Sequence, residues 1–363
     1  MSWTMSGEHI TDLARGAAVF GTGGGGDPYV GALLARAAID EHGPVQVVSL
    51  EEVPENALVV TVAMMGAPTV MVEKLPGLEE IMDVIERVSR LFGTPVTHIA
   101  CAEIGGVNST IPVAAAAACQ LPLLDADGMG RAFPELQMVL PTLYGVSASP
   151  LAFSDEKGNG GVLETIDNAW TERIGRVACV EMGCSIMIAG FQMSGTTARR
   201  AMVPGSLTRS LDVGRAIVES REAKVDPVAR AVEILGGCEV FAGTVIDVHR
   251  TTTAGFARGQ ARVEASPGEE LLLSFQNEIL IAQRGDQVLA TTPDLLMVLE
   301  EDSGEPVTTE GLRYGQRVRV IAAPADERWH SPEAIAMVGP RYFGYDLEPH
   351  RFDGHVKMGE KIR

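Results

Sequence analysis

Apolar positions along roughly the first 140 residues fall at helical and strand periods in alternation. Ser6 is placed to cap a helix over Glu8 to Phe20, with Gly21 just past its end. A second helix is predicted after Pro28, as far as about Glu41. Residues 45–50 and 58–63 are β-branched runs of strand length. Between Leu78 and Leu91 the residues Ile81, Val84, Ile85 and Val88 share one helical face, with acids on the other. Residues 97–101 read as a buried strand, 111–119 as a helix and 121–125 as strand again.

That rhythm predicts an α/β N-terminal domain with a mainly parallel sheet. In such sheets ligands gather at the C-terminal ends of the strands. Two expected strand ends carry polar residues: 102–108, with Glu103 and Asn108, and 125–131, with Asp125, Asp127 and Arg131. From Cys238 the pattern becomes short runs at 239–245, 256–263, 271–275, 278–282 and 317–321, separated by turn residues. These predict a C-terminal domain rich in β structure, a sandwich or barrel. The expected division is an α/β domain at 1–165, carrying the glycine loop and the acidic site, and a C-terminal domain at 166–363. The latter opens with a helical connection (166–236), followed by the β-rich part (237–330) and a tail.

A hydrophobic share of 46% against 21% charged residues is a globular composition with a sizeable core. The net charge of −19, with no basic cluster beyond Arg199-Arg200, argues against a nucleic-acid partner. Five cysteines without regular spacing make no disulfide framework. No uninterrupted apolar stretch approaches the roughly 20 residues that span a bilayer, and the N-terminus lacks the charged start and apolar core of a signal peptide. A soluble, cytoplasmic protein without a membrane partner is expected.

The segment Gly21-Thr22-Gly23-Gly24-Gly25-Gly26-Asp27-Pro28 is the most unusual in the chain. Four consecutive residues without a Cβ permit a backbone approach that no other sequence allows, and Pro28 suits the start of a helix. The run formally contains Gly-x-Gly-x-x-Gly, but a dinucleotide site needs a strand before the loop and an acid at the next strand's end. Here a helix precedes it, and no acid follows the 45–48 strand until Glu51. NAD and FAD are therefore not expected, and the missing Gly-Lys-Ser/Thr ending excludes a P-loop.

Asp125 and Asp127, two apart after a buried strand, are candidates for paired acid/base carboxylates. They are equally candidate ligands for a divalent metal ion, with Glu103 or Asp27 as a third oxygen donor. A plain turn bonded to nearby backbone N–H groups accounts for the same residues. The seven histidines are scattered, with no zinc-like spacing. Gln276-Asn277-Glu278 and 291–295 are polar groups flanking apolar strands, as hairpin ends often are.

Taken in order, 21–28, Glu103-Ile104-Gly105-Gly106-Val107-Asn108, 125–134, Gln276-Asn277-Glu278, Pro293-Asp294-Leu295 and 338–345 form a set that resembles the S-methyl thiohydantoin desulfurase family, over nearly the whole chain. That family was long known as a domain of unknown function beside hydantoinase/oxoprolinase proteins. The resemblance implies an α/β domain followed by a β-rich domain, and an activity that removes sulfur from a thiohydantoin during breakdown of a sulfur-containing histidine betaine. The reaction needs a base for water, stabilisation of a tetrahedral centre, and an acid or metal for the leaving thiol. Asp125 or Asp127 is the expected base or metal ligand, assisted by Glu103. The backbone of Gly23, Gly24, Gly25 and Gly26, together with Asp27, Asn108 and Arg131, is expected to bind and orient the ring. A homo-oligomer is expected. The different class kept open is a non-catalytic or regulatory partner of a hydantoinase/oxoprolinase, and a hydrolase of another cyclic amide is the third reading.

Overall fold

A computed structural model describes residues 2–66, 77–253, 256–352 and 354. Nine strands form the first sheet: β1 (Trp3–Met5), β2 (Val45–Val48), β3 (Val59–Gly66), β4 (His98–Cys101), β5 (Leu123–Asp127), β6 (Leu151–Ser154), β7 (Gly160–Leu163), β8 (Ser185–Met193) and β9 (Val203–Pro204). Their order is β1-β2-β5-β4-β3-β8-β6-β7, with β9 added to β5. The four central strands β2, β5, β4 and β3 run parallel, and antiparallel strands flank them. Helices Leu78–Phe92 and Ile111–Cys119 make the crossovers between the parallel strands. The first carries Ile81, Val84 and Val88 into the core on the face that its periodicity marks.

The stretch expected to be a helical connection contains β8, which pairs with β3 near the middle of the first sheet. Its sequence, Ser-Ile-Met-Ile-Ala-Gly-Phe-Gln-Met, is almost continuously apolar because both faces are covered, and such a run has no period to separate strand from helix. The first sheet therefore draws its strands from residues as late as Pro204.

The second sheet contains β10 (Cys238–Thr253), β11 (Phe256–Ser266), β12 (Glu269–Gln276), β13 (Glu278–Arg284), β14 (Gln287–Thr291), β15 (Leu295–Glu300) and β16 (Arg317–Ala323). All its pairings are antiparallel, in the order β14-β13-β12-β11-β10-β16-β15. Its two edge strands, β14 and β15, are joined by residues 292–294 alone. So short a link forces the sheet to curl until its edges approach, which gives an open half-barrel filled by residues such as Leu271, Phe275, Leu296 and Val320.

A third apolar cluster joins the two sheets. Met129 and Phe133 from beyond β5 meet Leu280 and Ile281 of β13, with Trp329 and Phe343 from the C-terminal segment. The Trp329 indole N–H donates to the Met129 carbonyl at 2.7 Å, so the polar end of the largest buried ring is satisfied.

Candidate active site

The glycine run lies where the two sheets meet. Helix Ile10–Phe20 ends at Gly21, and the chain then passes between the C-terminal ends of the parallel strands and the β12–β13 turn. On the half-barrel side, Ile279 donates its amide to the Thr22 carbonyl (2.8 Å), and Thr309 donates its amide and hydroxyl to the Gly23 carbonyl (2.7 and 3.0 Å). On the α/β side, the Val107 amide donates to the Gly25 carbonyl at 2.9 Å. Missing side chains are what permit this. A Cβ on Gly24 would come within 2.1 Å of Glu278 Oε1, and one on Gly106 within 2.0 Å of the Gly25 carbonyl oxygen.

Beside this loop is a cavity of about 100 Å³. Gly25, Glu103, Asn108 and Glu278 are among its polar lining, and Met64, Met65, Met129 and Phe133 among its apolar lining. Glu103 arrives from the end of β4. Its Oε1 accepts a hydrogen bond from Asn108 Nδ2 at 2.7 Å. Asn108 is itself fixed to the backbone of Met64, accepting from its amide (2.8 Å) and donating to its carbonyl (3.2 Å). Glu278 arrives from the other sheet, next to Asn277, whose positive φ of 55° turns β12 into β13.

Both glutamates are buried, 8% and 2% exposed, and Oε2 of each has no hydrogen-bond partner among the described residues. Burial pushes the Glu103 carboxyl from its ordinary 4.5 up to about 8; the Asn108 hydrogen bond opposes the shift and the Asp127 charge adds to it. The Glu278 carboxyl is also raised, first by burial and then by the Glu103 charge, against the pull of Arg131. With both carboxyls raised, the pair retains a proton near neutral pH.

The expected site residues divide between the cavity and its scaffold. Glu103, Asn108 and Gly25 line the cavity; Gly23, Gly24 and Gly26 do not. Asp127 is fully buried, and its Oδ2 accepts from the amides of Ile104 (2.9 Å), Met129 (3.0 Å) and Gly130 (2.7 Å). It thereby shapes the turns on both sides of Glu103, and burial raises its carboxyl to about 7 against those three bonds. Asp125, two residues earlier on β5, accepts from the Thr208 amide (3.0 Å) and hydroxyl (2.5 Å) at the start of helix Ser206–Glu222. Asp27 accepts from the Tyr29 amide at 2.9 Å, at the head of the next helix.

Arg131 is fully buried and spends its fork on the protein. It donates to the carbonyls of Ala132 (3.0 Å), Pro293 (2.6 Å) and Asp294 (2.8 Å) and to the Thr22 hydroxyl (3.0 Å). It thus ties the glycine loop to the 292–294 link that curls the half-barrel. Among the described residues, no group of three His, Cys, Asp or Glu side chains is placed to hold a metal ion.

Sequence reasoning passed over Glu278 as a site residue, although it marked the 276–278 segment. The missing signal was the pairing of that turn with the glycine loop, a contact made between residues far apart in the chain.

These features define a class: a two-domain protein whose α/β sheet and antiparallel half-barrel close on a cavity to which both contribute buried carboxyls. The chain belongs to the S-Me-THD-like family, whose N-terminal domain model matches residues 8–165 and whose C-terminal domain model matches 166–352. This is the family that the ordered motifs resemble. A crystal structure of a protein from Chromobacterium violaceum is 24% identical, with 97% of this chain and 100% of that chain covered at a TM-score of 0.83, and has the same fold. No curated protein matches the chain. Among the described residues no helix is long and apolar enough to cross a membrane.

Proposed function

We propose that the protein hydrolyses the C–S bond of a small S-methyl thiohydantoin-like ring, releasing methanethiol and leaving a hydantoin. The observation that carries the reading is the convergence of Glu103 and Glu278, with unpartnered oxygens, on one cavity in a chain of this family. With one proton shared by the pair, one carboxylate takes a proton from water as the water oxygen bonds to the ring carbon bearing sulfur. The C=N electrons move to the ring nitrogen, which takes the proton of the other carboxylic acid. The tetrahedral centre then collapses. Its hydroxyl returns a proton to the second carboxylate, the C–S bond breaks, and the thiolate leaves with the proton that the first carboxyl took from water. Both carboxyls end as they began, and the balance is ring plus water to hydantoin plus methanethiol.

Asn108 holds Glu103 through Oε1, which leaves Oε2 for the reacting water or ring. Asp127 and Arg131 act as scaffold for the turn and the loop. The experiment is incubation of the pure protein with an S-methyl thiohydantoin, with methanethiol measured in the headspace so that the five cysteines do not interfere. The wild type releases methanethiol unaided, and Glu103→Gln and Glu278→Gln keep their fold by circular dichroism but lose at least about 100-fold in kcat. No release from the pure protein, or wild-type rates in both variants, refutes the proposal. Release only when a hydantoinase/oxoprolinase is added identifies a regulatory partner instead.

A further inference from the structure

Among the described residues, the charges lining the cavity do not balance. Four glutamates line it, Glu103, Glu135, Glu172 and Glu278, and one guanidinium, Arg176. Arg176 is already answered: its Nε donates to Glu172, and its guanidinium lies 4.8 Å from the Phe256 ring centre. Glu135 accepts from the Tyr342 hydroxyl (2.7 Å) and the Gln137 amide (2.6 Å). That leaves Glu103 and Glu278, each more than nine-tenths buried and each with an unpartnered Oε2 among the described residues. Behind Glu278 stands Arg131, whose N–H groups are given to Thr22, Ala132, Pro293 and Asp294. Arg131 is thus the buried cation beside Glu278 and Asp294. The rest of the lining includes the thioethers of Met64, Met65 and Met129, which are soft and polarisable, and the Phe133 ring, over which Arg131 lies at 4.3 Å.

We infer that the cavity takes a planar amidinium-type cation, the protonated isothiouronium form of an S-alkylated ring, with its two N–H edges received by Glu103 and Glu278. The inference rests on the desulfurase reading for the cavity being the reaction site, and its test needs no turnover. S-alkylation turns the thiourea unit of such a ring into an amidine, whose added proton spreads its charge over both nitrogens. That charge matches the deficit, and it makes the carbon bearing sulfur a better target for water. A cationic ring with both carboxylates ionised holds the same number of protons as a neutral ring with one carboxyl protonated, so the reaction written above keeps its balance. The hydantoin product has no basic nitrogen to carry the charge, and it leaves.

The groups facing Glu103 set the pH dependence. They are Asn108 from the 106–109 turn, Asp127 from β5, Glu278 from the β12–β13 turn with Arg131 behind it, and Glu135, Glu172 and Arg176 elsewhere around the cavity. Free Glu103 keeps its proton until about pH 8, so a cation entering near neutrality expels it.

The test is calorimetric titration of the full chain with S-methylisothiouronium, a cation at both pH 6.5 and pH 8.5, with urea as the neutral analogue. The cation is expected to bind at least about tenfold more tightly at the higher pH, with proton release read from the dependence of the heat on buffer ionisation, and urea is expected to bind at least about tenfold more weakly. Glu103→Gln is expected to flatten the pH dependence, and Glu278→Gln to weaken the cation at least about tenfold. Affinity for the cation that is flat with pH in the wild type, or urea binding as tightly as the cation, overturns the inference without reliance on any variant. Cation binding as described with no methanethiol released from an S-methyl thiohydantoin would sink the desulfurase reading and leave this inference standing. Methanethiol release without any preference for the cation would do the reverse.

Discussion

The Glu103 carboxyl makes the folded state sensitive to alkali, and one substitution measures by how much. Its folded value of about 8 lies above its ordinary 4.5. Between those values the native state holds a proton that the unfolded chain has released, so stability falls as pH rises through the window and the loss is complete above about 8. Each unit is about 1.4 kcal/mol. From pH 6 to pH 9 the wild type crosses the upper two units of the window, a loss on the order of 3 kcal/mol from this group. Glu103→Gln has no such proton. Its amide oxygen can still accept from Asn108, and whatever its NH2 group costs in the Oε2 position is the same at both pH values. The quantity to measure is therefore the stability difference between variant and wild type at pH 9 minus that at pH 6, from urea unfolding of both proteins. It should be positive and on the order of 3 kcal/mol. Asp127 and Glu278 titrate in both proteins; in the variant they are relieved of the Glu103 charge, which adds to the same sign. A difference of less than about 0.5 kcal/mol would refute the reasoning, because Glu103 would then ionise as easily inside the cavity as in water.

Two further substitutions probe the junction of the domains. Gly106→Ala sets a Cβ 2.0 Å from the Gly25 carbonyl oxygen at a φ of +59°, and should cost at least about 2 kcal/mol in urea unfolding; Gly93→Ala, at a φ of +62° with nothing within 4 Å, isolates the backbone strain and should cost about 1 kcal/mol. Arg131→Met strips donors from the buried Ala132, Pro293 and Asp294 carbonyls and should cost about 3–5 kcal/mol, and a wild-type unfolding midpoint would show that the clamp is dispensable.

What could be read from the chain followed from local pattern. The four parallel strands and their crossover helices are short periodic segments with clear turn residues, and the hairpins of the second sheet alternate as half-buried strands do. β8 escaped because a strand covered on both faces has no alternation to show. The site was legible in halves. Glu103 and Asn108 follow a strand of the parallel sheet, where polar residues after an apolar run draw the eye. Spacing alone suggested Asp125 and Asp127 as a pair, yet Asp125 is bonded to the amide and hydroxyl of Thr208 at the start of a helix, and Asp127 through Oδ2 to three amides of two turns, its Oδ1 having no partner among the described residues. An aspartate that shapes a turn and one that performs chemistry look alike until the cavity is located, and neither Asp125 nor Asp127 lines it. Glu278 sits at a hairpin end, which is where ordinary glutamates sit. Its standing as a site residue depends on the half-barrel docking against a loop at the other end of the chain, and no local pattern encodes that.

The same docking accounts for the glycines. A nucleotide-binding loop uses glycine to bring backbone N–H groups close to phosphate; here the close approaches are made by protein. Side chains at 24, 25 and 106 would strike Glu278, Gly105 and the Gly25 carbonyl respectively. The loop is thus a thin spacer, and its thinness sets how near Glu278 can come to Glu103. A bulkier loop would hold the two domains apart, and each carboxyl would then face water and ionise near its ordinary value. The proton that the two glutamates retain, on which the proposed chemistry depends, is in that sense a consequence of four residues that have no side chain.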